Sequence, residues 1–467
     1  MPSVKKGSLV LAGTLFGLLL VEVLLRLTGF GMVRPQMDFD QNTRVALQAG
    51  QFVPDGRLLW RESAESRSAA AAALNLVPAD GSAPPKNRKF RILCLGDSCT
   101  RLAPRDRPFS VVLQERLGLE RVEVYNAGVP GYTSQQGLVW LRKDLLEYQP
   151  DLVVVYFGWN DHWRTTGWTD RELMARFARW RPRLLNLFQG RHEPPPFRVA
   201  TAEFGQNLRA IAAAVADRGG RTLFLTAPSH FTAEARAHHL QTGYILPGDN
   251  PAAIHSRYEQ EVRRLGDQPR SRVFDAAQLF ARLQQPQYLL FPDGIHPTDL
   301  GHLVLATALA DEIAVNDLGA ADPHSDPLAV GLAVIAQSMA ASGRWQEALQ
   351  GYAQAAETAP QDLNLLLGYA WLLATCPADT LRDPDLALTL LDRLSGSMAK
   401  GYQFHDVHAA ALAAGGRFPA AVTAARTALQ DVEALGGGES SLARDIRQRL
   451  NLYEAGKTYQ LPAPESP

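Results

Sequence analysis

Short apolar runs alternate with longer stretches of helical periodicity between residues 90 and 226. The apolar runs span residues 90–95, 122–125, 152–157 and 222–226. Stretches of helical period, such as 134–148 and 202–217, separate them. This alternation predicts a parallel β-sheet covered by helices on both faces. Ligands of such sheets bind beyond the carboxyl ends of the strands, so the residues that directly follow each run are the candidates for a functional site.

Three of the apolar runs end in motifs that suit acyl transfer. Ser98 lies in Gly-Asp-Ser-Cys-Thr, directly after the first run and beside free backbone N–H groups. Gly131 lies in Val-Pro-Gly-Tyr-Thr after the second run, and Asn160 in Gly-Trp-Asn-Asp after the third. A glycine N–H and an asparagine amide are donors of the kind that stabilise a developing oxyanion. Each motif alone is also typical of an ordinary turn or cap.

A fourth motif, Asp-Gly-Ile-His-Pro, follows later in the same region. A general base needs an imidazole with one nitrogen facing the nucleophile and the other held by a carboxylate. Asp293 and His296 supply both groups within one short segment. Pro297 disfavours helical geometry for His296, so we expect a loop that precedes a helix beginning near Thr298. A surface histidine beside a carboxylate is common, and this motif alone decides little.

Taken together and in this order, the four motifs resemble those of the SGNH, or GDSL-like, hydrolase family. The resemblance covers residues 88–316 and implies an α/β fold with a three-layer, flavodoxin-like parallel sheet. It implies a serine esterase that works through an acyl-serine intermediate with no cofactor and no metal. By this resemblance Ser98, Asp293 and His296 are the catalytic residues. The N–H groups of Ser98 and Gly131 and the amide of Asn160 form the oxyanion hole.

The N-terminus of the chain predicts a membrane anchor. Two lysines precede residues 8–25, an apolar run of about one membrane span in which Glu22 is the single charge. No small-residue cleavage motif follows, which favours an uncleaved transmembrane helix within residues 1–30 over a signal peptide. The positive-inside rule then places the catalytic domain outside the cytoplasm. Residues 31–87 show poor periodicity and read as a linker that holds this domain off the membrane.

Beyond residue 322 the sequence changes to alanine-rich helices. Ala-Ser-Gly-Arg-Trp-Gln-Glu-Ala at 341–348 recurs loosely as Ala-Gly-Gly-Arg-Phe-Pro-Ala-Ala at 414–421. Residues 322–457 thus resemble tetratricopeptide repeats, with an insertion around 375–384. The resemblance implies a groove for a protein partner. A helical cap that only packs against the catalytic domain remains an alternative.

Two long segments within the hydrolase-like region bear on the substrate. Residues 161–194 carry Trp163, Trp168 and Trp180, which suit either a lid that stacks on a sugar ring or a packed amphipathic helix. Residues 229–267 contain side chains of metal-binding type in no recognised metal motif. These are His230, Glu234, His238 and His239.

The composition narrows the class of partner. A formal net charge of -1 gives no attraction to nucleic acid, and three cysteines without C-x-x-C spacing predict neither a disulfide framework nor a zinc site. The sequence therefore predicts a membrane-anchored, extracytoplasmic esterase or deacetylase, by analogy one that acts on acylated carbohydrate of the cell envelope. Two alternatives remain: an O-acyltransferase with the same catalytic residues, and a repeat-based scaffold whose hydrolase-like domain is not catalytic.

Overall fold

The computed structural model describes residues 2–28, 49–78, 81–165, 167–177, 182–187, 192–319, 326–394 and 401–462. The chain divides into two compact units. The first comprises Met1–Ala281 and Gln285–His302, and the second comprises Arg282–Gln284 and Leu303–Pro467.

A five-stranded parallel sheet forms the centre of the first unit. The strands of this unit are β1 (Phe52–Asp55), β2 (Leu59–Glu62), β3 (Phe90–Gly96), β4 (Val122–Gly128), β5 (Leu152–Tyr156), β6 (Arg221–Leu225) and β7 (Ser271–Phe274). The first two pair as an antiparallel hairpin, and the other five form the sheet in the order β4-β3-β5-β6-β7. This is the flavodoxin-like strand order. All five residues of β5 are buried, as in a strand covered on both faces.

The helices of the first unit connect and cover these strands. In chain order they are α1 (Pro2–Thr28), α2 (Ala64–Leu74), α3 (Ser98–Arg101), α4 (Phe109–Leu117), α5 (Ser134–Lys143), α6 (Asp170–Phe177), α7 (Leu184–Leu187), α8 (Thr201–Ala216), α9 (Ala233–Gln241), α10 (Pro251–Arg263), α11 (Ala276–Leu283), α12 (Gln287–Leu290) and α13 (Asp299–Leu318). Short 3₁₀ turns lie at Leu145–Tyr148 and Arg264–Asp267. Both α11 and α13 begin in this unit and end in the second.

Four of the five sheet strands coincide with the predicted apolar runs, which confirms the predicted parallel sheet. The strand that the sequence did not predict is β7. Its four residues, Ser-Arg-Val-Phe, include two polar side chains, and its two middle residues are only partly buried. A strand this short and this polar gives no apolar run to recognise.

The segment before β3 differs from the expected linker. Leu59, Trp60 and Val77 are buried, so the β1–β2 hairpin and the segment after α2 belong to the core of the first unit. The N–H of Val77 also donates to the carbonyl oxygen of Asn126 at 3.0 Å, at the edge of the sheet. The spacer interpretation is therefore wrong for residues 49–78, while residues 31–48 lie outside the described part of the chain. Short elements with few apolar residues gave too little periodicity to predict them.

Helix α1 carries the N-terminal apolar run. Among the described residues it is the one helix long and apolar enough to cross a membrane, with a mean hydropathy of 2.3 over Gly7–Thr28. A membrane anchor and a signal sequence share this property.

The second unit is helical. Besides the ends of α11 and α13, its helices are α14 (Pro327–Ala341), α15 (Trp345–Thr358), α16 (Leu363–Thr375), α17 (Pro384–Leu394), α18 (Tyr402–Ala414), α19 (Phe418–Ala434) and α20 (Ser441–Glu454), with a 3₁₀ turn at Asp379–Leu381. The two copies of the repeated motif adopt the same turn, because Gly343 and Gly416 both have φ +74°. In each copy the next N–H, of Arg344 or Arg417, donates five residues back, at 2.9 and 2.8 Å. The helical C-terminal region is thus confirmed.

Candidate active site

Ser98 lies at the carboxyl end of β3. Asp97 caps the short helix α3, because its carboxylate accepts the N–H of Cys99 at 2.9 Å. A glycine is required just before it, since a Cβ at Gly96 would lie 2.6 Å from the carbonyl oxygen of Tyr156. The chain therefore leaves the strand in a tight turn that places Ser98 as the first residue of α3.

His296 and Asp293 meet Ser98 from a loop between α12 and α13. The Nε2 atom of His296 lies 2.8 Å from the Oγ atom of Ser98, and its Nδ1 atom lies 2.6 Å from Oδ2 of Asp293. A carboxylate only accepts hydrogen bonds, so Nδ1 carries the hydrogen and Nε2 accepts the hydroxyl hydrogen of Ser98. The structure thus brings Ser98 together with two side chains that lie almost 200 residues later in the chain.

The Asp293 carboxylate is held by its own loop. Its Oδ1 atom accepts the N–H groups of Ile295 and His296 at 2.9 and 2.7 Å. Gly294, with φ +82°, permits the tight turn that makes these two bonds. Burial alone would raise the pKa of Asp293, but the hydrogen bonds from His296 and the backbone outweigh it and lower that pKa to about 2. The carboxylate therefore stays ionised at any ordinary pH.

Asn160 follows β5 and is held by Asp97. Its side-chain amide donates to Oδ2 of Asp97 at 3.1 Å, which leaves its second amide hydrogen for another acceptor. Asp97 thus binds α3 with one oxygen and Asn160 with the other. Burial raises the pKa of Asp97 to about 6, against the opposing effect of these hydrogen bonds and of nearby His296.

Gly131 lies in the loop after β4, with φ +79°. This loop is tied to β3, because the N–H of Val129 donates to the carbonyl oxygen of Gly96 at 3.1 Å. The indole ring of Trp60 lies directly beside Gly131, and a Cβ there would be 3.2 Å from it. Glycine is therefore suited to this position both by its backbone conformation and by the available space.

The five site residues predicted from the sequence line the same cavity, which has a volume of about 830 Å³. Its lining includes Ser98, Gly131, Asn160, Asp293 and His296. The structure therefore places every sequence-predicted site residue at the same edge of the sheet.

Residues 94–304 match the model of the GDSL-like Lipase/Acylhydrolase family. They form a GDSL-like domain. This confirms the resemblance drawn from the four motifs and the prediction of a serine ester hydrolase. No curated protein matches the chain significantly.

Solved structures of similar proteins cover about half of this chain. A lipase/acylhydrolase from Enterococcus faecalis is 20% identical, with 48% of this chain and 94% of that chain covered and a TM-score of 0.35. The acetylxylan esterase Axe2 from Geobacillus stearothermophilus has the same identity, coverage and TM-score. The acetyl xylan esterase AlAXEase is 17% identical, with 46% of this chain and 96% of that chain covered and a TM-score of 0.33.

Helix α9 forms a polar wall of the cavity in the GDSL-like domain. Glu234, His238 and Gln241 line this wall and are exposed. His239 is buried beside them, and burial lowers its pKa to about 4, so its imidazole is neutral near pH 7. Within the described residues, no three histidine, cysteine or carboxylate side chains gather as a metal site would require.

The three tryptophans of the segment after Asn160 have different positions. Trp163 is buried in the cavity wall, where its ring stacks on that of Tyr244 with centroids 5.1 Å apart. Trp168 is half-buried, with the Arg176 guanidinium 4.0 Å from its ring centre. Trp180 lies outside the described residues.

Several residues that support the GDSL-like domain were not recognised from the sequence. Asp97 was part of the first motif, and its position directly before Ser98 could have drawn attention to it. Nothing near Trp60, Asp170 or Arg198 in the sequence indicates that they contact the Gly131 loop.

Proposed function

We propose that the GDSL-like domain hydrolyses acyl esters through an acyl-serine intermediate. The continuous chain of hydrogen bonds from Ser98 through His296 to Asp293 is the observation that carries this proposal. His296 takes the proton of Ser98 as its Oγ atom attacks the ester carbonyl, and returns that proton to the departing alcohol. Water, deprotonated by His296, then attacks the acyl-serine, and His296 returns this proton to the Oγ atom of Ser98 as the carboxylic acid leaves. Asp293, ionised throughout, fixes the imidazole and stabilises its charged form.

In this proposal, three donors bind the oxyanion that forms at each step. They are the N–H groups of Ser98 and Gly131 and the free amide hydrogen of Asn160. Two observations support these roles. All three residues line the cavity that contains His296, and the hydrogen bond to Asp97 holds the Asn160 amide while leaving one hydrogen unused.

We further propose that α1 anchors the enzyme in a membrane, with the GDSL-like domain on the extracytoplasmic side. Large apolar side chains of α1, among them Leu9, Leu11 and Leu27, are mostly exposed, and a lipid bilayer would cover them. The two lysines before the span support this orientation. Retention of the full-length chain in the membrane fraction after alkaline carbonate washing is the expected result. Release of the intact chain into the wash would contradict anchoring.

The proposed substrate is an acylated carbohydrate. The polar wall formed by α9 suits a leaving alcohol rich in hydroxyl groups better than a lipid chain, since Glu234, His238 and Gln241 all offer hydrogen-bonding groups to the cavity. We expect faster turnover of acetylated oligosaccharides than of long-chain acyl esters of glycerol. The opposite preference would contradict this substrate class.

For the second unit we propose tetratricopeptide-like repeats that bind an extended peptide. A cavity of about 780 Å³ in this unit is lined largely by apolar side chains, including those of Trp345, Tyr352 and Trp371. The chain's own C-terminal segment enters it, with the N–H of Leu461 donating to the carbonyl oxygen of Thr375 at 2.8 Å. A backbone contact of this kind is what an extended peptide would make. Loss of peptide binding in Trp371→Ala, with the fold intact, is the expected outcome.

The main test uses the full-length protein in detergent. The wild type should hydrolyse 4-nitrophenyl acetate and bind a fluorophosphonate probe covalently. Ser98→Ala should not bind the probe, and its turnover should be lower on the order of 10⁴-fold or more. Cys99→Ser is the matched control. Burial raises the pKa of that neighbouring thiol well above its usual value, so it is not the nucleophile, and its variant should keep its activity. Full turnover in Ser98→Ala would refute the proposal.

The same assay separates hydrolysis from acyl transfer. If water accepts the acyl group, acetate should appear at the rate of ester cleavage even when an acceptor polysaccharide is present. If acylated polysaccharide accumulates in place of acetate, the enzyme is an acyltransferase with the same nucleophile.

A further inference from the structure

A buried arginine outside the four motifs holds the Gly131 loop. Arg198, only 1% exposed, donates from Nη1 to the carbonyl oxygen of Gly131 at 2.7 Å. Its Nη2 atom also donates to the side-chain oxygen of Gln136 at 2.9 Å. Gln136 in turn accepts the N–H of Thr133 at 3.1 Å. The guanidinium therefore contacts the loop at Gly131 directly and at its far end through Gln136.

Asp170 fixes the orientation of this guanidinium. Its carboxylate accepts Nε and Nη2 of Arg198 at 3.1 and 2.8 Å, and it also accepts the hydroxyl of Thr133 at 2.8 Å. Asp170 begins α6, and Arg198 lies just before α8, so the two residues close the ends of the segment that contains α6 and α7. This ion pair thus connects that segment to the loop after β4.

Trp60 completes the enclosure from the hairpin β1–β2. Its ring lies 5.3 Å from the Arg198 guanidinium carbon and also faces Gly131. An arginine over an indole ring gains from the cation–π interaction. Gly131 is therefore held by two contacts: the Trp60 ring packs beside it, and Arg198 donates a hydrogen bond to its carbonyl oxygen.

We propose that Arg198 is a positioning residue for catalysis, which fixes Gly131 so that its N–H points at the oxyanion. The proposal rests on the oxyanion role of Gly131 proposed above. A donor is effective only when it lies 2.7–3.1 Å from the position that the oxyanion will occupy. A buried ion pair is by itself weak evidence for stability, because desolvation offsets its attraction. If the Arg198–Asp170 ion pair holds the Gly131 loop, its location beside that loop is explained.

The test compares two arginine–aspartate pairs in the same domain, of which Arg198–Asp170 is buried and Arg164–Asp249 is partly buried. Arg164 resembles Arg198 closely: it binds both oxygens of Asp249 at 2.9 and 2.6 Å, donates to the carbonyl oxygen of Pro195 at 2.9 Å, and lies 4.1 Å from the ring centre of Phe197. In the part of the chain that the structure describes, Arg164 makes no hydrogen bond with Gly131. The double variant Arg164→Met/Asp249→Leu is therefore the matched control for Arg198→Met/Asp170→Leu. Replacing both partners avoids leaving a buried charge alone.

We expect the Arg198 double variant to lose about 10- to 100-fold in kcat on 4-nitrophenyl acetate, with KM within about threefold of the wild type. The loss is smaller than the 10²- to 10³-fold expected when a donor is removed, because this donor is displaced. The rate of labelling by the fluorophosphonate, whose phosphoryl oxygen occupies the oxyanion position, should fall in parallel. The control pair should keep kcat within about threefold.

Arg198→Lys covers the case in which the double variant fails to fold. Its ammonium can still pair with Asp170, but it lacks the planar set of donors that reaches Gly131 and Gln136 at the same time. Its kcat should also fall with KM unchanged. If Arg198→Lys, and the double variant where it folds, turn over within threefold of the control pair, the inference is wrong. If Ser98→Ala is active, the proposed function fails instead, so the two failures are distinguishable.

Discussion

The loop that carries Asp293 and His296 and the loop that carries Gly131 reach the same cavity, but different parts of the chain hold them. The first is largely self-contained, because the Asp293 carboxylate binds the backbone N–H groups of its own loop. The second depends on Trp60, Arg198 and Gln136, which come from other elements. A short motif can encode the first loop almost completely. It encodes only the glycine of the second.

The Asn160 segment is intermediate between the two. Its amide is held by Asp97, which belongs to the neighbouring motif, and the next residue, Asp161, binds the N–H of Ser134 at the start of α5 at 2.9 Å. Substitutions in the self-contained loop of Asp293 and His296 should therefore lower kcat and leave the melting temperature nearly unchanged. In the loops of Gly131 and Asn160, which other elements support, kcat should fall on substitution of the loop's own residues and also on substitution of the distant residues that hold it.

The largest effect of a conservative change is expected at Asp293→Asn. The amide would favour the wrong tautomer of His296, and kcat should fall on the order of 10⁴-fold, as the loss of an orienting carboxylate does in serine hydrolases. Because the side chain is half-exposed and its backbone contacts are local, the melting temperature should change little. A large fall in melting temperature with only a modest loss of kcat would show that this loop is not self-contained.

This contrast explains how far the sequence could predict the site. Ser98 follows a recognisable buried strand, and Asp293 and His296 share one loop, so local patterns, taken together, were enough to make them candidates. The contact between Arg198 and Gly131 spans 67 residues, and an arginine that pairs within the core has the same local sequence signature as one on the surface. Only the folded chain distinguishes them.

The fold divides in the same way. Runs rich in apolar residues predicted β3, β4, β5 and β6, because strands covered on both faces consist mainly of apolar residues. The β1–β2 hairpin gave no such signal: its strands have four residues each, and polar side chains interrupt them. Yet this hairpin supplies Trp60, on which the Gly131 loop rests.

The next largest effect is expected at Asn160→Ala, with a loss of about 10²- to 10³-fold in kcat. Asp97→Asn is the matched variant. An asparagine there can still cap α3 through its oxygen, but it presents an amide to Asn160 in place of a carboxylate, so we expect a loss of about tenfold. Unchanged activity in Asp97→Asn would mean that capping of α3, rather than the hold on Asn160, is what Asp97 contributes.

A smaller loss is expected at Gly131→Ala. The positive φ of this residue costs an alanine on the order of 1 kcal/mol or more, and the added Cβ would press on the Trp60 ring. We expect kcat to fall about tenfold. Adding Trp60→Phe relieves the contact but not the backbone cost, so it should restore part of the activity. No restoration would indicate that the conformation of Gly131, and not its support from the hairpin, limits catalysis.

The smallest effect on turnover, and the clearest effect of pH on stability, is expected at Asp161→Asn. Burial raises the pKa of Asp161 to about 7, against the lowering effect of its hydrogen bonds with Ser134. Between its ordinary pKa near 4 and about 7, the folded protein holds a proton that the unfolded chain has released. The free energy of unfolding therefore falls as pH rises through this window and levels off above it.

An asparagine oxygen accepts the same hydrogen bonds from Ser134 without carrying a charge, so Asp161→Asn should remove this pH dependence. Its melting temperature should be close to that of the wild type at pH 5 and higher at pH 8, where the free energies of unfolding should differ by an amount on the order of a few kcal/mol. Other titrating groups act equally in both proteins and cancel. A melting temperature that exceeds that of the wild type by the same amount at both pH values would mean that Asp161 is already ionised at pH 5. The link from the Asn160 segment to α5 would then be a bond to a carboxylate at both pH values.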